Sequence, residues 1–492
     1  MIIALENASQ AIALYIHDCL LNDHPFKWRS YYAESFSLNL LSMSGLLEKK
    51  CKEKLLIRYE RMDKTDPEFH WEFNNYALLC YVRTTNDLSV GKYLTPLHFK
   101  NTPCTNWTLL RSNARLLAGA ETDRAIKEAK RKIRGYQLRS GLILDDPGVR
   151  SFQYHCFSLA MIAEIYGETG DTYFLDSFVR GLNFIRQFVL SNGDTLYVGR
   201  GQEQSFGYAA LIYALSLGMK YLEDKSINAD LRVVSEFVLS FQRKDGSFPL
   251  VMNDAAPKTV HEEISRNRNL PGWYPYNNYY DYLAFMGYFL AKSLVVLASV
   301  PLQSSIRKNV MLYQDSDFKK MSTFTYEAVV ARAGGYWTND LAMPYLVSRN
   351  HSLMPCYGGE QFAESIYGVE GLPMPFNYYF NISMRTKRLF VSLLFGKKMV
   401  AVSMFGIMIR SFEFDENGIT ITTRIWSYLK MCHTYLFKHS ISQIGDKRLE
   451  DDYLVVSSDR SMEYDSLQYS ASGPLKRFRV SGRKHSIGIH LK

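Results

Sequence analysis

The seven cysteines, Cys19, Cys51, Cys80, Cys104, Cys156, Cys356 and Cys432, are odd in number, scattered and never spaced Cys-x-x-Cys. That argues against a disulfide framework or a cysteine-held zinc and favours a reducing compartment. No His-Glu-x-x-His motif or calcium loop is present, and Gly334-Gly335 and Gly358-Gly359 read as turns rather than a phosphate cradle. No cofactor is expected. A structural divalent metal in the C-terminal half stays open, because His433 and His439 fall on one face of a strand. The N-terminus, Met1-Ile-Ile-Ala-Leu-Glu6, has no basic stretch, and Glu6 interrupts its apolar run, so it does not read as a secretory signal. The chain then acts inside the cell, or is exported with a signal already removed. No apolar run reaches the ~20 residues of a membrane span; Leu283–Val300 comes closest and carries Lys292.

What is present is a chain of 492 residues, enough for two large domains, with an ordinary globular balance of 47% apolar and 22% charged residues. Aromatics are abundant: 34 Tyr and 29 Phe, with a cluster at Tyr274–Tyr282. Tyrosine couples a flat apolar face to a hydroxyl, which suits sugar rings as well as half-buried packing. The net charge of +9 is spread out, densest at Arg124–Arg139, where it has the composition of a solvated helix face. No nucleic-acid module accompanies it. An acidic polymer is compatible with it.

The first 300 residues read as helices, with apolar spacing over Ser35–Leu56 and near 76–84, 107–118, 122–134, 155–166, 172–190, 206–222, 228–242 and 280–298. Five helices open on aromatic and amide residues: Trp71–Tyr76, Asn106-Trp107, Phe152–His155, Gln202–Tyr208 and Tyr276–Asp281. Each leads into an almost wholly apolar helix, and more charged helices lie between. Alternation of that kind is what a double ring needs, with inner helices buried all round and outer ones wet on one face.

After Pro301 the texture changes to short β-branched and aromatic runs: Thr323–Arg332, Leu341–Ser348, Phe376–Met384, Arg388–Phe395, Met399–Phe414, Gly418–Trp426, Tyr453–Ser457 and Arg477–His490. Asp415-Glu-Asn-Gly418 is a good hairpin turn. The expected fold class is α+β multidomain: an N-terminal (α/α) toroid over 1–305, then a C-terminal antiparallel β-sandwich over 306–492.

Three residues stand in a telling order. His155 opens an inner helix, Tyr208 ends the Gly-containing loop Arg200-Gly-Gln-Glu-Gln-Ser-Phe-Gly-Tyr208 fifty-three residues later, and His351 follows in the strand region. With the architecture, this resembles the polysaccharide lyases of the heparinase II/III and oligo-alginate lyase type. Those families tend to place a His, often beside an Asn, at an inner-helix start, a Tyr some fifty to sixty residues on, and a further His on the sandwich. Here Tyr154, not Asn, precedes His155.

The resemblance implies β-elimination of a uronic-acid polysaccharide. Such a reaction neutralises the uronate carboxylate, removes the C5 proton and protonates the leaving oxygen. Tyr208 is then the expected acid and a candidate base, with His155 as base or carboxylate partner and His351 as second partner, in the cleft between toroid and sandwich. Asn75, Arg200, Gln204, Asn278 and Arg349 are candidates to bind carboxylates or hydroxyls. Trp107, Trp273, Tyr279 and Tyr280 are candidates to stack on sugars. Two other readings stand beside it. A glycoside hydrolase on the same toroid would need facing carboxyls, for which Glu72, Asp145-Asp146, Glu203 and Asp281 are available. A glycan-binding or assembly protein would keep the aromatics and have no rate to abolish.

Overall fold

The computed structural model describes residues 1–22, 30–66, 69–96, 102, 104–254, 256–260, 279–301, 307, 311–332, 343–348, 351–356, 367–369, 372–375, 379–382, 385–388, 390–403, 406–470 and 473–492. Six of the described helices close a ring: α2 (Ala33–Met43), α4 (Trp71–Thr85), α5 (Thr105–Leu117), α7 (Phe152–Thr169), α9 (Ser205–Tyr221) and α11 (Tyr279–Leu297). Each packs on the next, and α11 packs back on α2. The outer layer comprises α1 (Ile2–Leu21), α3 (Lys49–Glu60), α6 (Thr122–Tyr136), α8 (Thr172–Arg186), α10 (Ser226–Leu239) and a short 3-10 turn, Leu88–Tyr93.

Four of the five aromatic-and-amide openings fall at or near the start of an inner helix, and the described part of the fifth, Tyr279–Asp281, opens α11. Four elements differ from the sequence expectation. Helix α1 was not expected; it buries Leu5, Ile12 and Ile16 and is long enough to have been seen. The run expected over Ser35–Leu56 breaks into α2 and α3 at Gly45, which sits at φ +70. The runs over Met399–Phe414 and Arg477–His490 are each a hairpin, folded at Gly406 and Gly482, both at positive φ.

The ring is not a pore. Its axis is filled by phenylalanines: Phe157 lies 5.1 Å from Phe206, Phe206 lies 4.1 Å from Phe285, and Phe285 stacks on Phe289 at 3.9 Å. Tyr279–Leu297 is long and apolar enough to cross a membrane, yet 78% of it is buried inside the fold, as an inner helix must be.

The helical part ends at Leu297 and the first strand opens at Leu312. Among the described residues all the β pairings are antiparallel. The first sheet runs in order β1 (Leu312–Gln314), β2 (Phe318–Ser322), β3 (Glu327–Ala331), β4 (Tyr345–Ser348) and β5 (His351–Ser352). Its strand alternation buries both faces: Val329, Ala331 and Val347 join the helical core, while Ala328, Val330 and Leu346 join the sandwich core. This sheet is therefore the mortar between the domains. Arg150 before α7 and Arg332 both pair with Asp317 at 2.9 Å, and Phe318 meets Phe152 at 5.4 Å.

Candidate active site

Because inner and outer helices alternate in direction, the inner-helix N-termini gather at one end of the ring, which we call the mouth. The ring contacts there run from element to element. Tyr32, just before α2, lies 6.4 Å from His70, just before α4; His70 lies 4.9 Å from Trp107 in α5. Phe206 at the start of α9 lies 6.2 Å from Tyr154 of α7 and 5.2 Å from Tyr282 of α11. The phenylalanines below form the floor.

The polar centre of the mouth is Arg200. Its guanidinium sits 4.5 Å over the Tyr154 ring, donates to the Tyr154 hydroxyl at 3.2 Å and pairs with Asp145 at 3.1 Å. The sequence sets this up with two glycines. Gly199 and Gly201 flank Arg200 at positive φ, and a Cβ would stand 1.9 Å from the Arg150 carbonyl at the first and 2.2 Å from the Gln153 amide at the second. Only glycine lets this loop press against the start of α7. Gln153 then donates to the Gln204 side chain at 2.9 Å. The buried atoms Gln153 Oε1, Gln204 Nε2 and Asn106 Oδ1 have no hydrogen-bond partner in the described structure. Burial raises both neighbouring carboxyls, Asp145 and Asp146, the latter to about 6 with Asp145 adding to the effect.

Of the residues singled out from sequence, the mouth contains Arg200, Gln204 and Trp107. His155 is elsewhere. It is fully buried between α7 and α8, where Nδ1 accepts the Ile143 N–H at 3.0 Å and Nε2 lies 3.0 Å from the Gly181 carbonyl. Both ring nitrogens are occupied, and burial lowers its pKa to about 4. It is a neutral brace in this geometry, not a base facing substrate. Asn75 is also a brace, with its amide clamped to both backbone groups of Thr95 at 2.7 and 2.9 Å. Tyr279 donates to the Phe248 carbonyl at 2.8 Å, and Tyr280 is buried with its hydroxyl pushed up to about 12. Neither ring is presented to a sugar. Asn278, Trp273 and Arg349 lie outside the described residues. Among the hydrolase candidates, Asp281 accepts from the backbone N–H groups of Tyr31, Tyr32 and Ala33 and so caps α2.

Tyr208 and His351 mark a different place. Tyr208 is fully buried, donating to Glu203 at 2.7 Å. Glu203 and Asp194 form the floor of a groove of about 970 Å³ between α10 and the sandwich, and exposed His351 stands on its rim. The structure thus separates His155 from the other two residues that the spacing grouped. His433 faces His485 across the sandwich interior at 4.8 Å, and His439 is exposed. Among the described residues no group of three His, Cys, Asp or Glu side chains is placed to hold a metal.

Sequence reasoning passed over Tyr154 and His70. Tyr154 was visible as the departure from the expected Asn before His155, and His70 as the residue opening the Trp71 cluster.

No family model matches the chain, and no curated protein matches it. Solved structures do. The chain is similar to the chondroitin AC lyase of Streptomyces coelicolor A3 in complex with chondroitin sulphate, at 8% identity and TM-score 0.52, over 93% of this chain and 74% of that one. It is also similar to a heparinase III gene product, at 11% identity and TM-score 0.36, over 96% and 86%. A family 88 glycosyl hydrolase from Bacteroides vulgatus matches 58% of this chain and 98% of its own at 12% identity and TM-score 0.40. The chain has the fold of the polysaccharide lyases built from a helical toroid and a β-sandwich.

Proposed function

We propose that the protein is a polysaccharide lyase that cleaves a uronic-acid polymer by β-elimination at the mouth of the ring. The observation that carries this reading is Arg200, lying over the Tyr154 ring and bonded to its hydroxyl where six inner-helix N-termini converge. Helix N-termini carry partial positive charge, so an anionic sugar is favoured there, in keeping with the net charge of +9.

In this reading Arg200 binds the uronate carboxylate, so that negative charge building at C5 is tolerated. Tyr154 exchanges the protons: one leaves C5, its electron pair forms the C4–C5 double bond, the bond from C4 to the bridging oxygen breaks, and that oxygen takes a proton. A guanidinium donating to the phenol oxygen stabilises it when the proton is away. His70 and Trp107, both half-buried at the rim, hold the sugar face.

The test is the ultraviolet absorbance of the new double bond on a panel of uronate polymers. Wild type should produce it, and Tyr154→Phe should lose at least ~100-fold in rate. Absorbance that survives in Tyr154→Phe and Arg200→Ala would sink the assignment. One observation favours a second reading: Asp145 and Asp146 sit together with Asp146 raised to about 6, as a hydrolytic acid would be. New reducing ends without absorbance, lost in Asp146→Asn, would decide for hydrolysis.

A further inference from the structure

The groove beside α10 shares none of its lining residues with the mouth. One wall is Phe237 and Phe241, half-buried and 5.2 Å apart. The other is His351 and Tyr453 of the sandwich, with rings 5.0 Å apart. Aromatic walls of this kind suit the faces of sugar rings. The volume of about 970 Å³ falls at the upper end of the range of ligand pockets.

The floor is a built arrangement. Glu203 has φ +60, the left-handed region that favours glycine, and it is pinned there from both sides: its N–H donates to the Leu196 carbonyl at 3.0 Å, and its carbonyl accepts from Met252 at 2.7 Å. Tyr208 donates to Glu203 Oε2, and Tyr345 of β4 donates to Asp194. Glu203 and Asp194 face each other out of water and hydrogen-bond to one another, and burial raises both carboxyls, Asp194 to about 6. Glu203 is 1% exposed, so its carboxyl meets the groove from a dry floor.

The charge of the groove selects among donors. Asp194, Glu203, Glu236, Asp254 and Asp451 line it. The lysine present, Lys438, is already paired with Asp254 at 3.2 Å. In a chain of net positive charge this is an acidic hollow, which would repel a polyuronate. We infer that it is a second saccharide site and that it takes a sugar bearing a free amine, a hexosamine unit, whose ammonium is drawn by the lining carboxylates. A linear polyamine would satisfy the charge and leave the aromatic walls unused.

Calorimetric titration of the full-length protein tests this with three probes: a glucosamine tetrasaccharide, its fully N-acetylated counterpart, and spermine. The free-amine sugar should bind at least ~10-fold tighter than the other two. Glu203→Gln should weaken it by ~10-fold or more, and Glu236→Gln and Phe241→Ala by several-fold. The last two lie at the rim, so the test stands even if Glu203→Gln fails to fold, which its melting curve would report. Equal binding of the acetylated sugar or of spermine overturns the proposal. So does binding that the groove variants leave untouched, or that is lost only in Arg200→Ala.

Discussion

At the mouth of the ring a cation, a carboxylate and a tyrosine meet as Arg200, Asp145 and Tyr154. Toward the other end the same three types meet as Lys292, Glu164 and Tyr76. The cations are buried to a similar degree, with side-chain exposures of 13% for Arg200 and 18% for Lys292. What differs is how far the bonds are satisfied. Glu164 accepts from Tyr76 at 2.8 Å, from Tyr213 at 2.9 Å and from Lys292. The Lys292 ammonium also donates to Tyr76 at 2.7 Å and sits 4.8–5.6 Å from the rings of Tyr76, Tyr213, Tyr288 and Phe289. The mouth, by contrast, keeps the orphan atoms Gln153 Oε1, Gln204 Nε2 and Asn106 Oδ1. A saturated cluster stabilises a fold; an unsaturated one keeps bonding capacity for a ligand.

The comparison breaks most visibly if the rate per folded molecule fails to tell the two ends apart. Arg200→Ala should cost ~100-fold or more in turnover per folded molecule, beside the stability lost by leaving buried Asp145 unpaired. Arg200→Lys should not restore the rate, because a point charge cannot hold Asp145, Tyr154 and a carboxylate together. Lys292→Ala should lower unfolding free energy by about 3 kcal/mol in urea titration while the rate per folded molecule holds. Equal rate losses in both variants would erase the distinction between the ends.

His155 gives a pH test of the same idea. Its pKa is about 4 when folded, against an ordinary 6.5, so the folded state resists its protonation. The stability it secures is complete above the ordinary value and is lost as pH falls from about 6.5 to about 4, by about 3 kcal/mol. Asp194, raised to about 6, acts in the opposite sense, adding stability at low pH that is lost as pH rises from about 4 through about 6. His155→Phe should therefore be less stable at neutral pH, with the Ile143 N–H and Gly181 carbonyl unpaired, yet flatter on the acid side. Its rate per folded molecule should match wild type; a specific rate loss would return His155 to the chemistry. The smallest effect belongs to Gly201→Ala. Its Cβ meets the Gln153 side chain and its φ of +79 strains a side-chain-bearing residue, so a cost of about 2 kcal/mol and a several-fold rate loss through a displaced Arg200 are expected.

The architecture was legible because burial writes itself into composition. An inner helix such as α9 has no wet face, so Ser205–Leu217 reads as apolar throughout, while the outer helix α6 alternates Ala125, Ala129 and Ile133 with charge. Hairpins were harder: Met399–Phe414 looks like one strand, since the turn at Gly406 needs no Pro or Asn to announce it. The site was only half legible. Arg200, Gln204 and Trp107 could be named because polar and aromatic residues at inner-helix starts are unusual. Sequence spacing could not tell that His155 points outward to α8 while Tyr154, one position earlier, points into the mouth. One residue on a helix turns a side chain by about 100°. Likewise Asn75 was equally fit by type to hold a sugar or to clamp Thr95, and only the loop path decides.

Asp281 has one more consequence. It caps α2 through Tyr32, a partner 249 positions earlier in the chain. During synthesis at about 5–20 residues per second, the first inner helix waits on the order of tens of seconds for that carboxylate to emerge. Until then α1 and α2 lack the partner α11 that covers them, and their apolar sides are open to whatever else is nearby. Ring closure is thus a late event with a long-range contact at its centre, and the nascent N-terminal half is the stretch most in need of a chaperone.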